Sequence, residues 1–80
     1  MKRISVLGST GSIGRNTLEI LHRFPDRFSV AALSAARNVS LLADQIRRFE
    51  PDIAAVLDAQ AADALTGLLP YGCKTEVVYG

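Results

Sequence analysis

The chain has 80 residues, of which nine are Lys or Arg and eight are Asp or Glu, for a net charge of +1. Nucleic-acid and membrane-surface binders concentrate positive charge on one face, whereas the basic residues here are scattered along the chain, which argues against both roles. The single cysteine, Cys73, excludes an internal disulfide, and the opening apolar run is too short for a signal peptide or a membrane span, which favours a cytoplasmic protein.

The first two elements are a strand and a helix. Ile4–Leu7 is a compact apolar run that ends at Gly8 and predicts a strand. Helical spacing begins at Ile13, and Pro25 ends the helix because proline lacks an amide hydrogen. The apolar stripe predicted for this helix consists of Ile13, Thr17, Ile20, Leu21 and Phe24.

A second strand and a second helix follow. Phe28–Leu33 has the composition of a strand, and either Asn38 or Ser40 is suited to cap the next helix. The side chains predicted to share one face of this helix are Leu42, Ile46 and Phe49. Pro51 terminates the helix.

The last part of the chain repeats the alternation. Ile53–Leu57 is apolar at every position, which is typical of a strand with helices on both faces. Asp58 is suited to cap an alanine-rich helix that ends near Leu69, and Val77–Tyr79 begins a fourth strand.

The order β-α-β-α-β-α-β predicts an α/β fold with a Rossmann-like, doubly wound parallel sheet. The fourth strand has no helix after it, and 49% of the residues are hydrophobic, more than a self-sufficient domain of this size readily covers. We therefore expect residues 1–80 to be the N-terminal part of a larger, truncated domain.

A glycine-rich loop between the first strand and the first helix carries the clearest chemical signal. Its spacing is G-x-x-G-x-x-G: Gly8 permits a tight turn, Gly11 leaves room for a pyrophosphate, and Gly14 allows the helix to pack closely on the sheet. The amides at the helix start and the hydroxyls of Ser9, Thr10 and Ser12 are expected to donate hydrogen bonds to the phosphates. A mononucleotide P-loop is disfavoured because Arg15 follows Gly14 where that loop needs lysine.

The end of the second strand favours NADPH over NADH. NAD-binding domains usually place an acidic residue there, but this chain has none between Asp26 and Asp44. Ser34 would not repel a 2′-phosphate, and Arg37 is suited to pair with it. Asn38 is equally compatible with a helix cap and with a ligand contact. His22 is interpreted as structural, and no residues have the spacing of metal ligands.

Several segments together resemble one enzyme family. They are the segment from Lys2 to Gly14, which contains the glycine loop, Thr17-Leu18, the run Val30 to Ala35, Arg37-Asn38-Val39, and Thr75 to Gly80. In these residues the chain resembles the start of 1-deoxy-D-xylulose 5-phosphate reductoisomerases. The resemblance implies a homodimeric enzyme of the non-mevalonate isoprenoid pathway. Such enzymes rearrange deoxyxylulose 5-phosphate and reduce the product with NADPH to methylerythritol phosphate, and they need Mg²⁺ or Mn²⁺.

The resemblance also implies roles for particular residues. The loop residues that would hold the cofactor phosphates are Thr10, Gly11, Ser12 and Ile13, and those that would read the 2′-phosphate are Ala36, Arg37 and Asn38. The family usually has glycine at the position of Ala36, so a positive φ angle there would disfavour the alanine. Catalytic residues, metal ligands and substrate-phosphate contacts are expected beyond this chain, so residues 1–80 alone would be inactive.

Two alternatives remain open from the sequence. One is another NADP-dependent reductase with a Gly-x-Thr-Gly loop, such as an aspartate-semialdehyde-dehydrogenase-like protein. The other is a non-catalytic nucleotide-binding module, because a fold does not fix a function.

Overall fold

The computed structural model describes all residues from Met1 to Gly80, as four strands that alternate with three helices. The strands are β1 (Lys2–Val6), β2 (Phe28–Ser34), β3 (Ile53–Val56) and β4 (Glu76–Tyr79), and the helices are α1 (Ser12–His22), α2 (Val39–Phe49) and α3 (Ala59–Leu68). The predicted alternation is confirmed, with boundaries that differ by one or two residues. No helix has the length and apolar character needed to cross a membrane.

All strands are parallel and lie side by side in the order β1-β2-β3-β4. The pairing of β1 with β2 contains one irregularity between Ile4 and Ser5, where Ile4 is paired with Val30 and Ser5 with Ala32. The sheet therefore has the parallel, Rossmann-like α/β arrangement that the sequence predicts, although the helices of residues 1–80 cover only one of the two faces that are covered in a doubly wound sheet. The ends of β1, β2 and β3 meet at one edge.

The three helices form one layer. Glu19 of α1 pairs with Arg48 of α2, and the imidazole of His22 packs edge-on against the ring of Phe49 with 5.9 Å between their centroids. Arg47 of α2 donates a hydrogen bond to the carbonyl of Leu68 at the end of α3. This placement follows from the strand order, because right-handed crossovers that progress in one direction put every helix on the same face of the sheet.

The core lies between this helical layer and the sheet. Its 13 buried side chains are Val6, Leu18, Val30, Leu33, Ala35, Leu42, Ala43, Ile46, Ala54, Val56, Ala61, Ala62 and Leu65. The face predicted for α2 is confirmed, since Leu42 and Ile46 are buried and Phe49 is half-buried against them. Asn38 and Asp58 cap α2 and α3 by accepting from the amides of Leu41 and Ala61.

Two sequence-based expectations about burial are wrong. In α1 the buried residues are Gly14 and Leu18. Of the predicted stripe, Leu21 is half-buried against the core, but Ile13 and Ile20 are 83% and 54% exposed. α1 has this orientation about its axis because Gly14, which has no side chain, faces the backbone of the preceding loop. The second error concerns β3, where the helices of this chain cover only one face and Ile53 on the other is 40% exposed.

Candidate functional site

Three loops meet at the carboxyl edge of the sheet, where α/β proteins bind their ligands. They comprise residues 7–11 after β1, residues 35–38 after β2 and residues 57–58 after β3. Hydrogen bonds hold them together: the Ser9 amide donates to the Ser34 carbonyl at 2.8 Å, and the Leu57 amide donates to the Ala36 carbonyl at 3.3 Å.

The three glycines of the loop differ in how strictly the fold requires them. Gly8 has a φ angle of +66°, which side chains with a Cβ rarely adopt. Gly14 packs against the loop so tightly that a Cβ would lie 2.3 Å from the Gly8 carbonyl oxygen and 2.7 Å from the Ser9 Cα. Gly11 has an ordinary φ of −79°, and its Cβ would meet only the Gly8 oxygen at 3.4 Å. The fold therefore requires glycine at positions 8 and 14, but not at position 11.

The start of α1 presents unpaired backbone donors. Gly11 is the N-cap and supplies no side-chain cap, and the first turn contains no acidic residue. The amides of Ser12, Ile13 and Gly14 make no hydrogen bond within the chain, because the first bond of this turn runs from the Arg15 amide to the Gly11 carbonyl. Free amides and the positive end of a helix dipole favour an anion.

The residues that carry these donors line an open groove of about 600 Å³. Its lining residues are Ser5, Val6, Leu7, Gly8, Gly11, Ser12, Ile13, Gly14 and Thr17. The exposed side chain of Ile13 belongs to this groove and not to the core, which gives it an apolar wall beside the polar helix start.

The prediction that the Ser9 hydroxyl donates to a phosphate is wrong. The Ser9 hydroxyl is fully buried and lies 2.7 Å from Oε1 of Gln45 on α2, so it points into the protein and away from the groove. Thr10 is half-buried and Ser12 is exposed, and neither side chain makes a hydrogen bond within the chain. Of the three predicted hydroxyls, those of Thr10 and Ser12 remain available.

The segment after β2 lies beside the glycine loop. Ser34 accepts a hydrogen bond from the Gly8 amide through its hydroxyl at 3.0 Å and so joins the two loops. Arg37 is exposed, makes no ion pair, and lines a second groove together with Asp58 and Gln60. Glu50 is the only non-glycine residue with a positive φ angle, so the backbone at position 36 accommodates alanine without strain.

The remaining candidates lie away from this edge. A groove of about 540 Å³ is present between the end of α2 and residues 70–75, at the opposite edge of the sheet, and it contains none of the predicted site residues. His22 packs on Phe49, consistent with its structural interpretation. No three His, Cys, Asp or Glu side chains lie close enough together to hold a metal ion.

Gln45 contacts the glycine loop, although nothing in the sequence pattern marks it. This side chain is only 4% exposed although it is polar, and it contacts a loop 36 residues away. A glutamine between Asp44 and Ile46 has the pattern of an amphipathic helix, so no local signal separates it from a solvated side chain.

Comparisons with known proteins identify the family. The family model for 1-deoxy-D-xylulose 5-phosphate reductoisomerase matches residues 4–80. The enzyme of that name from Desulfosudis oleivorans is 56% identical over 80 residues, which are all of this chain and 21% of the relative. The one from Paraburkholderia xenovorans is also 56% identical, over 99% of this chain and 20% of its own length. The chain thus spans about a fifth of the length of the relatives that it matches.

Solved structures agree with these matches. The reductoisomerase from Zymomonas mobilis in complex with NADPH superimposes with a TM-score of 0.90 at 39% identity, over 99% of this chain and 21% of that one. A DOX-P reductoisomerase in complex with NADPH, fosmidomycin and magnesium gives a TM-score of 0.85 at 29% identity, over 100% of this chain and 20% of that one. The aspartate-semialdehyde-dehydrogenase-like alternative is not supported. The chain belongs to the 1-deoxy-D-xylulose 5-phosphate reductoisomerase family.

Proposed function

We propose that residues 1–80 are the N-terminal part of the NADPH-binding domain of a 1-deoxy-D-xylulose 5-phosphate reductoisomerase. The observation that carries this proposal is the start of α1, where three free amides follow a loop that Gly8 and Gly14 hold close to the helix. Family membership and the likeness to an NADPH complex support the same assignment.

In this proposal the cofactor phosphates bind the glycine loop. The amides of Ser12, Ile13 and Gly14 donate to the pyrophosphate, and the hydroxyls of Thr10 and Ser12 add further donors. Gly11 matters for access, since the fold tolerates a Cβ there but a bound pyrophosphate would meet it. Gly8 contributes the tight turn that orients the loop.

The segment after β2 binds the adenosine end of NADPH. Arg37 pairs with the 2′-phosphate, and its exposed position without an internal partner leaves the guanidinium available. Ala36 and Asn38 flank Arg37 and belong to the same 2′-phosphate-binding segment. Asn38 also caps α2. The absence of a carboxylate between Asp26 and Asp44 favours NADPH over NADH.

The reaction itself rests on the rest of the protein. When bound, NADPH supplies the hydride that reduces the rearranged sugar phosphate, and the residues described here bind and orient that cofactor. Magnesium or manganese would be held outside these residues, because they offer no group of metal-ligating side chains. A homodimeric state and a cytoplasmic location belong to the same proposal and rest on the resemblance to the family.

Calorimetric titration of the full-length protein with NADPH and with NADH tests the proposal, followed by addition of deoxyxylulose 5-phosphate with Mg²⁺. We expect tighter binding of NADPH and metal-dependent oxidation of the cofactor after the sugar phosphate is added. NADPH binding without turnover would favour a non-catalytic nucleotide-binding module. Failure to bind either nucleotide would overturn the assignment of the glycine loop.

A further inference from the structure

The buried carboxamide of Gln45 makes two hydrogen bonds to one residue of the glycine loop. Its Oε1 accepts from the Ser9 hydroxyl at 2.7 Å, and its Nε2 donates to the Ser9 carbonyl at 2.8 Å. The Ser9 carbonyl can only accept, so the orientation of the carboxamide is fixed by its partner. Both residues are almost completely shielded from solvent, with Ser9 0% and Gln45 4% exposed.

These contacts complete the hydrogen bonding of Ser9. Its amide already donates to the Ser34 carbonyl at 2.8 Å, so β2 holds one side of the residue and α2 holds the other. The Ser9 hydroxyl also lies 3.3 Å from the Ser34 carbonyl, but its single hydrogen favours the nearer acceptor, Gln45.

The position of Ser9 sets the position of α1. The backbone of Gly14 lies so close to Ser9 that a Cβ at position 14 would be 2.7 Å from the Ser9 Cα. A displacement of Ser9 towards Gly14 would therefore push against the first turn of α1, whose free amides form the anion site. Gln45 acts on that turn through Ser9, without itself lining the groove.

We propose that Gln45 is a positioning residue for dinucleotide binding, which anchors the glycine loop so that the amides of α1 are preorganised for the pyrophosphate. This inference rests on the proposed function of the loop. A preorganised site loses less conformational freedom when its ligand binds, so loosening the loop is expected to weaken NADPH binding.

The test compares Gln45→Met with Ile46→Val in the full-length protein. Methionine has a similar length but makes neither hydrogen bond, whereas Ile46 is the adjacent buried residue and loses only packing. NADPH dissociation constants are measured by calorimetry, and exchange of the Ser9 and Gly11 amides is followed by mass spectrometry in the cofactor-free protein. Ser9→Ala, which removes only the hydroxyl contact, provides a second variant should Gln45→Met fail to fold.

We expect Gln45→Met to raise the NADPH dissociation constant about tenfold and Ser9→Ala to raise it less, since two buried hydrogen bonds are lost in the first and one in the second. Loop amides should exchange faster in both variants, while residues 59–68 of α3 remain as protected as in the wild type. Ile46→Val should lower the melting temperature and leave the dissociation constant unchanged.

A dissociation constant within twofold of wild type in every folded variant at positions 9 and 45 would overturn the role of Gln45. Equal weakening by Ile46→Val would also overturn it, because general destabilisation would then explain the effect. Failure of the wild-type protein to bind NADPH is a different outcome, which refutes the proposed function of the loop itself.

Discussion

The substitution Gly14→Ala is expected to destabilise the fold. Gly14 has no Cβ, and this allows α1 to pack in direct contact with the glycine loop. The new Cβ would lie 2.3 Å from the Gly8 carbonyl oxygen, so the two groups must separate by about 1 Å to reach ordinary contact at 3.4 Å. Forcing atoms into a packed site costs about 1–3 kcal/mol. The upper part of that range applies here, because the opposing atoms belong to the backbone and cannot move aside as a flexible side chain could. Alanine returns at most about 1 kcal/mol of helix propensity.

The net expectation is a loss of about 2 kcal/mol in the free energy of unfolding, measured by urea denaturation of the full-length protein. Gly67→Ala is the matched control, because Gly67 is also helical and a Cβ there would have no neighbour within 4 Å. That control should be neutral or stabilising by up to about 1 kcal/mol. If Gly14→Ala is as stable as Gly67→Ala, the loop and α1 are not in the close contact on which our description of the site depends.

Substitutions at three further positions test separate parts of the account. Arg37→Ala should weaken NADPH binding by about 1–3 kcal/mol and leave NADH binding nearly unchanged, because a charged hydrogen bond to the 2′-phosphate is lost; equal losses for both nucleotides in calorimetry would contradict that role. Gly8→Ala should cost about 1–2 kcal/mol in denaturant unfolding because of the φ angle of +66°, and an unchanged midpoint would show that the turn relaxes. Asp58→Ala should cost about 1 kcal/mol through loss of the α3 cap, and Asp58→Asn should recover most of it.

The features predicted from the sequence are those set by neighbouring residues. The glycine spacing, the proline stops and the caps at Asn38 and Asp58 each depend on a few consecutive positions, and they define the order of the elements. The family resemblance, which the comparisons confirm, rests on the same local segments.

The features that sequence reasoning missed arise from contacts between distant residues. Helical periodicity indicates an apolar stripe but not how a helix is rotated, and the contact of Gly14 with the loop leaves Ile13 exposed in the groove. The partnership of Ser9 with Gln45 depends on α2 packing beside the loop, which no window of neighbouring residues reveals. For the same reason the prediction that the Ser9 hydroxyl faces the phosphates is wrong.

The most direct test of the central claim is a crystal structure of the full-length protein with NADPH. We predict pyrophosphate oxygens within hydrogen-bonding distance, about 3 Å, of the Ser12 and Ile13 amides, and the 2′-phosphate beside the Arg37 guanidinium. A pyrophosphate bound away from the start of α1, with those amides left free, would contradict the account.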